Sequence, residues 1–122
     1  MDMANSLPTI ALGIWRLENL TGPDGNPIFR LIALNKPAQG RISPSELRVG
    51  RTLSDSLQNH HAIEISRFFA KVLISGKSME IPRFVLDQNI QFSLAAFPLQ
   101  CNCVAVSFEP VKQVNEIFEL DF

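Results

Sequence analysis

Apolar and polar positions along this chain fall into five short runs suited to strands and one longer stretch with a period near 3.6. Residues 10–19 (IALGIWRLEN) mix β-branched and aromatic side chains with partial alternation, and residues 28–35 (IFRLIALN) form a second, more apolar run. Between them, Pro23-Asp24-Gly25-Asn26-Pro27 is dense turn chemistry, so the pair predicts an antiparallel hairpin with a loop longer than two residues. Three further strand-like runs occupy residues 78–86, 90–99 and 102–109, with turns at Asp87-Gln88-Asn89 and around Gln100.

Helical signals lie between the second and third runs. Ser43-Pro44-Ser45-Glu46 reads as a capping box with proline at the first helical position, and Gly50 stops that short helix. Thr52-Leu53-Ser54-Asp55 starts another brief helix, with Asp in place of the usual Glu or Gln. The one full helix is expected over residues 62–75, where Ile65, Phe68, Phe69, Val72 and Leu73 recur on one face and Gly76 follows as a C-terminal cap. Glu64, Arg67 and Lys71 form its solvated side.

A lone hairpin is barely stable in water, so the first two strands must join the last three. The fold class is therefore α+β: a five-stranded antiparallel sheet with short helices and one longer helix on one face. At 122 residues and 46% hydrophobic, the chain can bury one core and is too short for two. The expected organisation is a flanking segment at 1–9, one domain at 10–110 and the start of a linker helix at 111–122.

Charge and length exclude two classes of partner. A formal net charge of -1 without a basic run offers no surface for neutralising phosphates, so nucleic acid is not expected. The longest apolar run falls well short of a membrane span and no charged-then-apolar leader precedes Leu7, which predicts a cytoplasmic module without membrane contact.

The order of elements, together with particular residues, resembles a PAS sensory domain from about Gly13 to Val111. The residues that carry the likeness are Asn35-Lys36-Pro37-Ala38 after the second strand, Gly50-Arg51-Thr52-Leu53 before the small helix, Ser75-Gly76-Lys77 after the long helix, Phe97-Pro98-Leu99, and Val104-Ala105-Val106-Ser107-Phe108-Glu109. Many family members close the last strand with Asp-Ile-Thr, where this chain has Glu109-Pro110-Val111, so its coupling to the following helix would use different contacts. The resemblance implies a sensor and not an enzyme. The concave face of the sheet and the long helix would enclose a cavity, and the outer face would meet a flanking helix, a second copy or an effector.

By that analogy the candidate cavity lining is Ile65, Phe68, Phe69 and Val72 from the helix, Phe92, Leu94 and Ala96 from the fourth strand, and Cys103, Ala105 and Ser107 from the fifth. The outward register is then Val104, Val106 and Phe108, a row that would mark a contact surface. Phe84 and Phe97 join Phe68, Phe69 and Phe92 as aromatic candidates for an apolar ligand site, although filling the core is the default role of such residues. The small residues Ala96, Ala105 and Ser107 leave room for a modest ligand at most.

No cofactor is expected, and the residues argue against flavin and haem. Light-sensing flavin members carry a reactive cysteine on the small helix after the second strand, and this chain has no cysteine before Cys101. Members with a phenolic chromophore need an early cysteine and phenolic partners, and there is no tyrosine. Haem-binding members supply an axial histidine from the long helix at a place close to Ile65, whereas His60 and His61 fall at or before the expected helix start. Adjacent helical side chains diverge by about 100°, so His60-His61 reads as a solvated helix entrance before it reads as a metal site. Cys101 and Cys103 share a strand face, where thiols can bind soft metals, but no further ligands lie nearby and two buried small hydrophobes is the stronger reading.

Catalysis finds no support. The candidate acids Asp55, Glu64, Glu80 and Asp87 fall at turns or on polar faces, and no phosphate loop, nucleophile elbow or metal-ligand spacing is present. A small cone-shaped α+β enzyme is thus the weakest alternative.

Beyond the last strand, Val111, Val114, Phe118 and Phe122 recur at roughly heptad spacing and predict an amphipathic linker helix. The expected function is a regulatory module of a larger signalling protein of the two-component kind, whose covalently linked output domain is a histidine kinase ahead of a cyclic-dinucleotide enzyme or a transcription factor, in a homodimeric state. It would sense a small apolar ligand or mediate dimerisation. The alternative is a ligand-free interaction module that needs only its outer sheet face.

Overall fold

A computed structural model describes residues 10–41, 47–87 and 90–111. The elements run β1 (Ala11–Asn19), β2 (Ile28–Leu34), α1 (Lys36–Arg41), α2 (Leu53–Ser56), α3 (Asn59–Ser75), β3 (Met79–Asp87), β4 (Ile90–Leu99) and β5 (Cys103–Pro110). All five strands form one antiparallel sheet in the order β2-β1-β5-β4-β3. The first and last strands of the domain, β1 and β5, thus lie side by side at its centre. The fold is α+β with one longer helix, as the periodicity predicts, and each strand boundary agrees with the sequence to within a residue.

α1 is the element the sequence hides. Lys36–Arg41 is short and contains Gly40, a poor helix former, while Pro37 falls in the first turn where proline is tolerated. Asn35 makes the turn anyway. Its side-chain oxygen accepts from the amide of Ala38, capping the helix, and also from the amide of Leu12, while its amide nitrogen donates to the carbonyl of Ile10. One side chain therefore joins the end of β2, the helix start and the neighbouring strand. The expected helix from Ser43 lies mainly outside the described residues, and its expected stop at Gly50 is a turn with positive φ.

Downstream, Thr52 and Asp55 complete the capping box of α2 despite the Asp substitution. α3 begins three residues before the expected Ala62, at Asn59, and no side chain caps it. Gly76 closes α3 in the left-handed conformation, with its amide donating to the carbonyl of Val72.

One core joins sheet and helices. Trp15, Phe29, Leu31, Phe92, Leu94, Ala96, Val104, Val106 and Phe108 face inward from the strands, against Ala38, Leu53, Ile65, Phe69 and Val72 from the helices. Phe69 sits at its centre, with its ring centroid 5.4 Å from that of Trp15 and 5.3 Å from that of Phe29. Gly13 is fixed by close approach: a Cβ there would stand 2.6 Å from the Trp15 ring.

The β5 register corrects the expectation. Val104, Val106 and Phe108 are buried in the core, and Cys103, Ala105 and Ser107 lie on the opposite face. The cause is the turn after β4. Gln100, Cys101 and Asn102 form a three-residue connection, with Cys101 and Asn102 at φ of 61° and 57°, and this sets Leu99 opposite Cys103. Leu94 then pairs with Phe108 and Ala96 with Val106, and paired residues share a face. A connection one residue shorter or longer would have reversed the strand.

The outer edge of β2 is covered by the segment before α2. The amide of Leu31 donates to Arg51 and that of Gly50 to Leu31, while Arg30 reaches the Gly50 carbonyl and pairs through two nitrogens with Glu18. These bonds occupy an edge that would otherwise template association. Among the described residues, no helix is long and apolar enough to cross a membrane.

Candidate functional site

Between α3 and the inner face of the sheet, where the resemblance implies a ligand cavity, the packing leaves about 40 Å³. That is about the size of one water, which occupies about 30 Å³ in the liquid, but the lining offers a water no polar partner, and the space is far below the roughly 300–1,000 Å³ of small-molecule sites. It is lined by Trp15, Leu47, Leu53, Leu57, Ile65, Phe69, Phe84, Leu94, Val106 and Phe108. Of the expected lining, Ile65, Phe69 and Leu94 are at this void. Phe68, Val72, Phe92 and Ala96 belong to the surrounding core without bordering it. Cys103, Ala105 and Ser107 cannot line it, because they project from the other side of the sheet. Trp15 and Phe108 take that space instead, beside the aromatic candidate Phe84, whereas the candidate Phe97 lies on the outer face.

The outer face of the sheet is the better candidate. Cross-strand pairing arranges it in rungs. One rung holds Leu12, Ser107, Ala95 and Glu80; the next holds Ala33, Ile14, Ala105 and Phe97; a third holds Arg30, Arg16, Cys103 and Leu99. Beyond the first rung, Glu109 stands beside Ser93. Leu12, Phe97 and Leu99 are 40%, 41% and 44% exposed, and Ile10 beside them is 43% exposed. The helices cover the other side, so this row of large apolar groups meets water. The surface therefore has an apolar middle, a basic end at Arg16 and Arg30, and acidic groups at Glu109 and Glu80 toward the other end.

Electrostatics at the basic end are settled by the Glu18–Arg30 pair. Hydrogen bonding from Arg30 holds the Glu18 carboxyl below its usual value, and the same bond raises the guanidinium. Arg16 is exposed and makes no such pair among the described residues.

The histidine and cysteine pairs depart from their expected roles in one member each. His60 is exposed, as a solvated helix entrance requires, but His61 is half-buried within α3. Its ring lies edge-on to Phe84 at 5.3 Å, and its Nδ1 is buried without a hydrogen-bond partner among the described residues. Cys103 is buried, whereas Cys101 is exposed in the β4–β5 turn, and the Cys103 thiol donates to the Cys101 carbonyl. Among the described residues no group of three or more His, Cys, Asp or Glu side chains is placed to hold a metal ion.

A second concavity, of about 260 Å³, lies away from both faces, among the β1–β2 loop, α2 and the first half of α3. Nothing in the sequence marks it, because its walls come from three separate segments. No protein-family model matches the chain, and no curated protein matches it.

Proposed function

We propose that this chain is a PAS-type regulatory module that works as a dimerisation device through the outer face of its sheet. The observation that carries the reading is the exposed apolar row of Leu12, Phe97 and Leu99 on a sheet whose other face is fully packed. An apolar surface of this kind is costly for a monomer and characteristic of an interface. The union of the first two strands with the last three in one sheet, and the long helix packed on one side, support the PAS resemblance. The 40 Å³ void favours an interaction module over a sensor that encloses its ligand.

A second copy fits this face when turned about a two-fold axis that lies across the strands, midway between the Leu12 and Ile14 rungs. Leu12 then meets the partner's Ile14, and the large Phe97 meets the small Ala95. The same rotation carries the Arg16 rung over the partner's Glu109 rung, so opposite charges meet at both ends. A two-fold interface must be self-complementary in this way. In the parent protein the segment after Val111 would carry a change in these contacts to an attached output such as a histidine kinase.

The charge pattern gives the experiment. Arg16→Glu is expected to weaken self-association about tenfold or more in sedimentation velocity, and adding Glu109→Arg is expected to restore it. Equal association of wild type, single variant and double variant would overturn the two-fold arrangement.

A further inference from the structure

We propose that the cleft among the β1–β2 loop, α2 and α3 is a ligand site, and that it takes a small organic amine with a short apolar body. At about 260 Å³ it is several times larger than the void under the sheet and approaches the size of small-molecule pockets. Its floor is apolar: Phe29, Leu53 and Ala62 line it and are 1%, 4% and 3% exposed. Ile28 and Ile63 extend that surface.

The polar groups above the floor are the Asp24 carboxylate, hydroxyls that can accept or donate, and the Asn26 amide, whose oxygen is already taken by Arg67. Asp24 is the one charged residue in the lining, and it is exposed with no ion pair or hydrogen bond among the described residues. Ser66 is among the lining residues, is 3% exposed, and donates its hydroxyl hydrogen to the Ile63 carbonyl, which leaves its oxygen with acceptor capacity. Thr52 and Ser54 share a hydrogen bond with each other, and the Thr52 hydroxyl already receives the Asp55 amide. An unpaired carboxylate beside hydroxyl acceptors and an apolar floor matches an ammonium group on a hydrocarbon body; a carboxylate ligand would be repelled by Asp24.

The cleft is also held open before any ligand arrives. Pro23 and Pro27 restrict the loop backbone, and within it Gly22 donates to the Asn26 carbonyl while Gly25 donates to that of Gly22. Arg67 of α3 donates from Nε to the Asn26 side-chain oxygen at 3.1 Å and ties the loop to the helix, and its guanidinium is not part of the lining. On the far wall the Thr52–Asp55 capping box fixes α2. A preformed site forfeits less ordering entropy on binding.

Titration of the full chain with phenethylammonium at neutral pH, followed by amide chemical shifts, tests the site, with 2-phenylethanol and phenylacetate as matched neutral and anionic probes. Saturable shifts confined to Asn26, Ser54, Ile63 and Ser66 are expected from the ammonium, with the alcohol at least tenfold weaker and the carboxylate silent. Asp24→Asn, a change at an exposed turn residue whose fold the same spectrum checks, is expected to reduce the ammonium affinity to that of the alcohol. The absence of saturable shifts, equal affinity for ammonium and alcohol, or indifference to Asp24→Asn would each overturn the proposal. Repeating the titration on Phe97→Glu, altered on the remote sheet face, separates this site from the dimer: binding there is expected unchanged.

Discussion

Two polar residues do more for this fold than their exposure suggests. Asn35 makes three side-chain hydrogen bonds, to Leu12, Ile10 and Ala38, and so caps a helix that its own sequence disfavours. Asn35→Ala is expected to cost about 1–2 kcal/mol, in the range of a lost cap or more, measured as a lower midpoint in urea with an unchanged slope. Arg30 links Glu18 to the segment covering the β2 edge. Because its folded-state carboxyl value is depressed, Glu18 contributes stability that is fully present above the unfolded value of about 4.3 and is lost as pH falls through the folded value. Amide-exchange protection at Leu31 and Gly50 is expected to fall at pH 3 relative to pH 6, with Glu18→Gln showing the lower protection already at pH 6. Protection at those amides that is the same in Glu18→Gln and wild type at pH 6 would show that the pair does not hold the edge.

At the scale of elements, the strands and the long helix were legible because period and punctuation agree, as Ile65, Phe69 and Val72 recur above Gly76. The fifth-strand face expected by analogy with the PAS family is reversed in the structure, and alternation could not correct it because alternation is symmetric: it separates Val104, Val106 and Phe108 from Cys103, Ala105 and Ser107 without saying which set is inside. The size of the side chains carries that information, since the bulkier set buries more apolar area. The turn length fixes it, and a three-residue turn with Cys101 and Asn102 at positive φ follows no strong sequence signal. α1 escaped notice because a single side chain caps it, and the amine cleft because no local pattern records walls assembled from distant segments. Val106→Asp is expected to destabilise the chain by about 3 kcal/mol or more, since it buries an unpaired carboxylate against Trp15 and Leu94. Ser107→Asp, one residue on and facing outward, is expected to stay within about 1 kcal/mol in thermal unfolding of dilute protein. Similar losses from both would contradict the register.

For the whole molecule, one side of the sheet is filled to the size of a single water and the other presents Leu12, Phe97 and Leu99 to solvent. The same strands thus supply a closed core and an open apolar surface, and in the proposed two-fold arrangement the basic end of that surface faces the acidic end of a second copy. Under the proposed reading the molecule passes information on through association of its outer face. The measurement that tests this most directly is sedimentation equilibrium of the wild-type chain and Phe97→Glu over micromolar to hundreds of micromolar concentrations, with circular dichroism to show that both are folded. The account predicts a reversible wild-type dimer and a folded, monomeric Phe97→Glu. A wild-type chain that remains monomeric throughout, or a Phe97→Glu variant that dimerises as well as wild type, would contradict it.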